Sequence, residues 1–152
     1  GNIVFGNYLV DYYCLGLKNT FFNVDIPPGE FRRDYLPKMF RDTSPLDISP
    51  ALAHELIYGA IEYAARFDFK PQRDFKDSQW ILDPPDKYPP SGTIEFGKDG
   101  KPFFISGPRD NVDKIIRQLT RTAGEGNFDY MAMIGPPPSD DFFDGEWEVD
   151  DQ

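Results

Sequence analysis

The sequence predicts a small α+β domain, with a mainly antiparallel sheet packed by three to four helices and an acidic C-terminal tail. Three observations carry this reading. The order of elements is strand, three helices, hairpin, helix, which is not the regular alternation of a doubly wound α/β fold. A chain of 152 residues can bury one core, and its 39% hydrophobic content is enriched in rings: 14 Phe, 8 Tyr and 2 Trp. Fifteen Pro and 13 Gly divide it into short elements. No internal repeat is visible. Residues 1–135 form a single domain in this reading, and 136–152 a proline spacer and tail.

Residues 3–15 read as one long strand. One face carries Ile3, Phe5, Leu9 and Tyr13; the other carries Val4, Tyr8, Val10, Tyr12 and Cys14. Two apolar faces predict a central strand covered on both sides. Gly6 predicts a bulge or a close backbone approach. A strand starting at residue 3 of a chain without initiator Met predicts a further strand before Gly1.

Pro27-Pro28-Gly29 marks a turn. Phe31, Tyr35 and Met39 then recur every four residues, beside Leu36 and Phe40, as in a short amphipathic helix. Pro37 should kink it or end it early. Ser49-Pro50 is a helix start, with an N-cap hydroxyl followed by proline in the first turn. That helix should run over 50–67, with Leu52, Leu56, Ala60, Tyr63 and Phe67 on one stripe. Ala53, Ile57, Ile61, Ala64 and Ala65 widen the stripe and leave a narrow polar edge at Glu55 and Glu62. Gly59, Ala60 and Ala64 are small enough to admit another backbone.

A shorter helix is expected over 72–82, then a stiff loop over 83–92 around Pro84, Pro85, Pro89 and Pro90. Thr93–Phe96 and Phe103–Ser106 should pair as a hairpin around Asp99-Gly100. Asp110 should cap a helix over 111–122, with Val112, Ile115, Ile116 and Leu119 inward and Gly124 at its C-cap. Residues 124–130 read as a loop, and Pro136–Pro138 as a spacer.

Three segments, Leu9–Lys18, His54–Ala64 and Phe96–Phe104, resemble a bacterial family of uncharacterised proteins. The shared patterns are LVDxYCLGxK, HELIYGAIEYA and FGKDGKPFF, and the resemblance covers roughly residues 3–130. It implies a bacterial, intracellular protein with an extra strand before Gly1, and no activity or site residue.

Charge is unevenly spread. The formal net charge is −10, and seven acids with no base lie within residues 139–152, leaving −3 on residues 1–138. A net negative body disfavours direct nucleic-acid binding, which rests on cationic contacts to phosphates. Arg32, Arg33, Lys38 and Arg41 do form a local basic group that solvated faces explain, or that could dock the chain's own tail. Lys70, Arg73 and Lys76 lie near the next helix. A single cysteine excludes an internal disulfide and fits a reducing compartment such as the cytoplasm. No apolar run is long enough to span a bilayer, and no signal-peptide pattern is present.

Candidate chemistry is sparse. Cys14 and His54 could form a thiolate–imidazole pair oriented by Asp11. Against that, Cys14 lies late in an apolar strand, where cysteine packs as a small hydrophobe. Glu55 and Glu62 share a helix edge and could hold a divalent ion if another element added ligands, but position 58 is Tyr, so there is no His-Glu-x-x-His motif. A solvated or salt-bridged edge is the plainer reading. Neither Gly97–Gly100 nor Gly124–Gly126 fits a phosphate loop. No cofactor is expected.

The tail is more informative. Phe142, Phe143 and Trp147 sit among Asp140, Asp141, Asp144 and Glu146. Acids steer encounters with basic surfaces, and aromatics fill pockets. Gly145–Val149 alternates and could add as an edge strand. The chain therefore reads as a non-catalytic, cytoplasmic interaction or regulatory module, whose tail docks on another protein or another copy. The alternatives are a small hydrolase using Cys14 and His54 or the helix carboxylates, and an inhibitor that mimics nucleic acid.

Overall fold

The computed structural model describes residues 1–132, and the tail lies outside them. The first 26 residues form a hairpin instead of one long strand: β1 (Ile3–Asp11) pairs antiparallel with β2 (Gly16–Ile26). Asp11 makes the turn. Its carboxylate accepts hydrogen bonds from Tyr13 N at 3.0 Å and Leu15 N at 2.9 Å, a local alternative to the ladder. Gly16 restarts the chain with φ +75°. A Cβ there would lie 2.8 Å from Ala64 Cβ and 3.0 Å from the Ala60 carbonyl oxygen, so glycine lets the hairpin press onto the next long helix.

β1 is neither central nor fully covered: Phe5 packs on Phe31 and Tyr35 on one face and Tyr8 on Phe75 on the other, while Leu9 and Val4, one on each face, stay exposed. Among the described residues its one hydrogen-bonded neighbour is β2. Gly6 stays in register opposite Phe22 while the Tyr8 ring folds over it. The irregularities fall instead at Ile3/Phe5 and Leu9/Val10.

One face of the hairpin is covered by α1 (Pro28–Glu30), a π turn (Phe31–Tyr35) and α2 (Leu36–Met39). Phe5 packs against Phe21, Phe31 and Tyr35. Pro37 has no N–H to donate and would crowd a carbonyl four residues back. The helix meets this by widening, with Leu36 N bonded to Phe31 O, and stops at Met39.

The other face is covered by α3 (Pro50–Ala65) and α4 (Phe75–Ser78). Ser49 caps α3 as expected, accepting from Leu52 N at 3.1 Å. The buried stripe is His54, Ile57, Ala60, Tyr63 and Ala64, with Leu52 and Leu56 only half-buried. The helix expected over 72–82 shortens to α4 and a 3₁₀ turn at Gln79–Ile81.

The hairpin expected at 93–106 forms only at its tip. Asp99 and Gly100 have φ 54° and 78°, as a two-residue hairpin turn requires, and Lys98 bridges Lys101. The arms then separate, because Phe96 is drawn onto α3. Gly97 N donates to Tyr12 O at 2.9 Å and Phe103 N to Tyr13 O at 3.0 Å. β3 (Phe103–Ile105) pairs in parallel with β4 (Asp129–Met131), which begins at the end of the stretch 124–130 read as a loop. Between them runs α5 (Val112–Thr122), capped by Asn111 and not Asp110, with Asn111 Oδ1 accepting from Lys114 N.

One buried cluster joins Cys14, Leu15, Ala64, Phe69, Phe104, Ile115 and Leu119; a second joins Leu17, Ile57 and Phe75. The fold is small α+β. No helix among the described residues is long and apolar enough to cross a membrane.

Candidate functional site

The polar edge of α3 does not face open solvent along its whole length. Glu55, Tyr58, Gly59, Glu62, Tyr63 and Arg66 form one wall of a groove of about 420 Å³, within the usual range for a ligand site. The loop carrying Pro85, Tyr88, Pro90, Ile94 and Phe96 forms the other.

Local chemistry holds that loop in place. Glu55 Oε1 accepts from Ser91 N at 2.9 Å and Ser91 Oγ at 2.8 Å. Tyr88 OH donates to Asp83 Oδ2 at 2.9 Å, and Lys87 Nζ lies 3.2 Å from the same oxygen. These bonds hold the Asp83 carboxyl below its ordinary range. Phe96 sits over Gly59, where a Cβ would strike its ring, and stacks on Tyr63 with centroids 6.3 Å apart. The Arg66 guanidinium lies 5.4 Å from the Tyr63 ring centre, a cation–π contact at the end of the groove.

The groove is therefore aromatic on its walls and charged along one edge. It can hold an extended apolar or cationic group.

The sequence-derived candidates separate in space. Cys14 is fully buried in an apolar cluster with Ala64. Burial, reinforced by the Asp11 and Asp110 carboxylates, pushes its thiol well above the ordinary range. His54 lies ten residues before Ala64 on the same helix, about 15 Å along the axis. Its Nδ1 is 2.8 Å from Pro50 O, so Nδ1 carries the hydrogen and donates. His54 Nε2 and the Tyr58 hydroxyl are buried without a hydrogen-bond partner among the described residues. Asp11 is spent on the turn before β2 and does not orient His54.

Glu55 and Glu62 do share the groove, but Glu55 is bonded to Ser91. Among the described residues no group of three or more His, Cys, Asp or Glu is placed to hold a metal ion. Asp140, Asp141, Phe142, Phe143, Asp144, Glu146 and Trp147 lie outside the described residues.

The groove was not foreseen. Its only signals were Gly59 in mid-helix and the proline-rich loop, and neither says which helix edge that loop covers. Comparison with known proteins adds no relative: no family model, curated protein or solved structure matches the chain.

Proposed function

We propose that this chain is a non-catalytic, intracellular interaction module, whose segment 139–152 docks on a basic, partly apolar surface of another protein. The observation that carries the reading is the concentration of seven acids and three large aromatics in that segment, against a body close to neutral. Such a segment combines electrostatic steering with anchors that desolvate. The fates of the catalytic candidates favour the same reading. Cys14 is packed in the core, Asp11 shapes a turn, and His54 is bonded to its own helix.

The test is recovery of binding partners on the immobilised chain, with and without residues 136–152, at low and high salt. Loss of specific partners on deletion, and weaker recovery as salt rises, are expected. Equal recovery by both forms refutes the reading.

A further inference from the structure

We propose that the α3 groove is a second binding site, which takes an arginine side chain from an extended segment of a partner protein. Charge selects the sign of the occupant. No Lys or Arg occurs between Pro50 and Ala65, where Glu55 and Glu62 lie along the groove. The opposite wall, residues 83–96, adds Asp83, Asp86 and Glu95 and a single base, Lys87. Lys87 is paired with Asp83 at 3.2 Å, which leaves four acids against Arg66 at the end of the groove. Glu55 is bonded to Ser91 and Glu95 to Asp99 N, neutral donors that leave both charges in place. Among the described residues Glu62 has no hydrogen-bond or ion-pair partner, so its exposed carboxylate is open to a ligand. A groove of this balance attracts cations.

The walls select the shape of the cation. Tyr63 already carries the Arg66 guanidinium 5.4 Å from its ring centre, so one end of the groove accepts a planar cation on aromatic carbon. Tyr58 and Tyr88 continue the ring surface toward Glu55. A guanidinium can stack on such rings while two of its N–H groups bond one carboxylate, which an ammonium cannot do.

Length selects a peptide. The groove follows α3 from Glu55 to Arg66. At a rise of about 1.5 Å per residue that is about 16 Å, the length of about five extended residues. A lone guanidinium fills only part of it. The wall stands before the ligand arrives, because Glu55 holds Ser91 and Asp83 holds Tyr88, so little ordering opposes binding. Segment 139–152, with seven acids and no base, has the wrong sign to enter, so this site does not depend on the docking reading above.

Residue-resolved NMR titration of the full chain tests this, with an end-blocked peptide Gly-Ala-Arg-Ala-Gly as the probe. Shifts at amides 55–66 and 85–96 should saturate with a Kd of about 1 mM, which one guanidinium anchor can supply. The same peptide with citrulline, which keeps the shape and loses the charge, should leave both stretches unshifted. With lysine in place of arginine, binding should weaken about threefold. E62Q, an exposed change that disturbs no packing, should weaken arginine-peptide binding about fivefold. Raising NaCl from about 50 to about 500 mM should weaken binding to the native chain in the same way. No shift at up to about 20 mM peptide overturns the proposal, as do shifts confined to residues 139–152. Equal binding of the citrulline or lysine peptide, or unchanged affinity in E62Q, also overturns it. If end-blocked arginine alone binds as tightly as the peptide, the occupant is a small molecule and the partner segment is refuted.

Discussion

Lys18 Nζ lies 3.1 Å from Asp110 Oδ2, joining β2 to the entry of α5 across 92 residues of sequence. The same oxygen accepts from Gly107 N at 2.7 Å, and the Asp110 side chain is only 2% exposed. A carboxylate so buried depends on its cation. K18M should cost about 3 kcal/mol, because it leaves a buried charge uncompensated. D110N should cost less, since an amide oxygen can still accept from Gly107. Urea denaturation of the two variants gives the order; a smaller loss in K18M contradicts it.

Asp11 should give an unusual pH dependence. Burial raises its carboxyl above the ordinary value of 3.8, against the opposing effect of the Leu15 and Tyr13 amides. The folded state therefore binds the proton more tightly than the unfolded state. Stability falls wherever the folded state holds more protons, so its contribution declines as pH rises from about 4 through the folded value. The native chain should lose stability relative to D11N over that window, and hold a constant difference above it. A difference that grows with pH would reverse the sign and sink the argument.

Cys14 should be inert while the chain is folded. Its thiol is fully buried and displaced upward by desolvation, so little thiolate forms at neutral pH. Iodoacetamide at pH 7.5 should label it only after urea is added. Labelling of the native chain at the unfolded rate would mean that the turn at 12–15 opens freely.

Gly16 should not tolerate a methyl group. G16A imposes left-handed backbone on alanine and drives its Cβ onto Ala60 and Ala64. Together these should cost at least about 2 kcal/mol. The checks are the thermal midpoint and urea midpoint of G16A beside S49A, whose lost N-cap should cost about 1 kcal/mol. A smaller loss in G16A than in S49A would show that the hairpin and α3 can move apart.

Much of the local structure was legible because it is written in local chemistry. Ser49-Pro50 starts α3 whatever lies around it, and Asp99-Gly100 makes its turn even though its arms do not pair. The long strand over 3–15 misled because periodicity of two continues across the turn, while the decisive Asp11 hydrogen bonds reach only two and four residues ahead. β4 and the inward role of Asp110 were not legible. Each depends on a partner far away in sequence, Phe103–Ile105 for β4 and Lys18 for Asp110.

The same division runs through function. By itself the sequence determined the α+β class, the Ser49 cap, the Asp99-Gly100 turn, and the separation of a nearly neutral body from an acidic, aromatic segment. Those are properties of composition and of residues within a few positions of one another. Only the tertiary structure decided that Cys14 and His54 stay apart, that Glu55 and Glu62 border a groove, and that Arg32 and Lys38 face outward. Each of these depends on which surfaces pack together, and that is set by burial of apolar area over the whole chain and not by any local pattern.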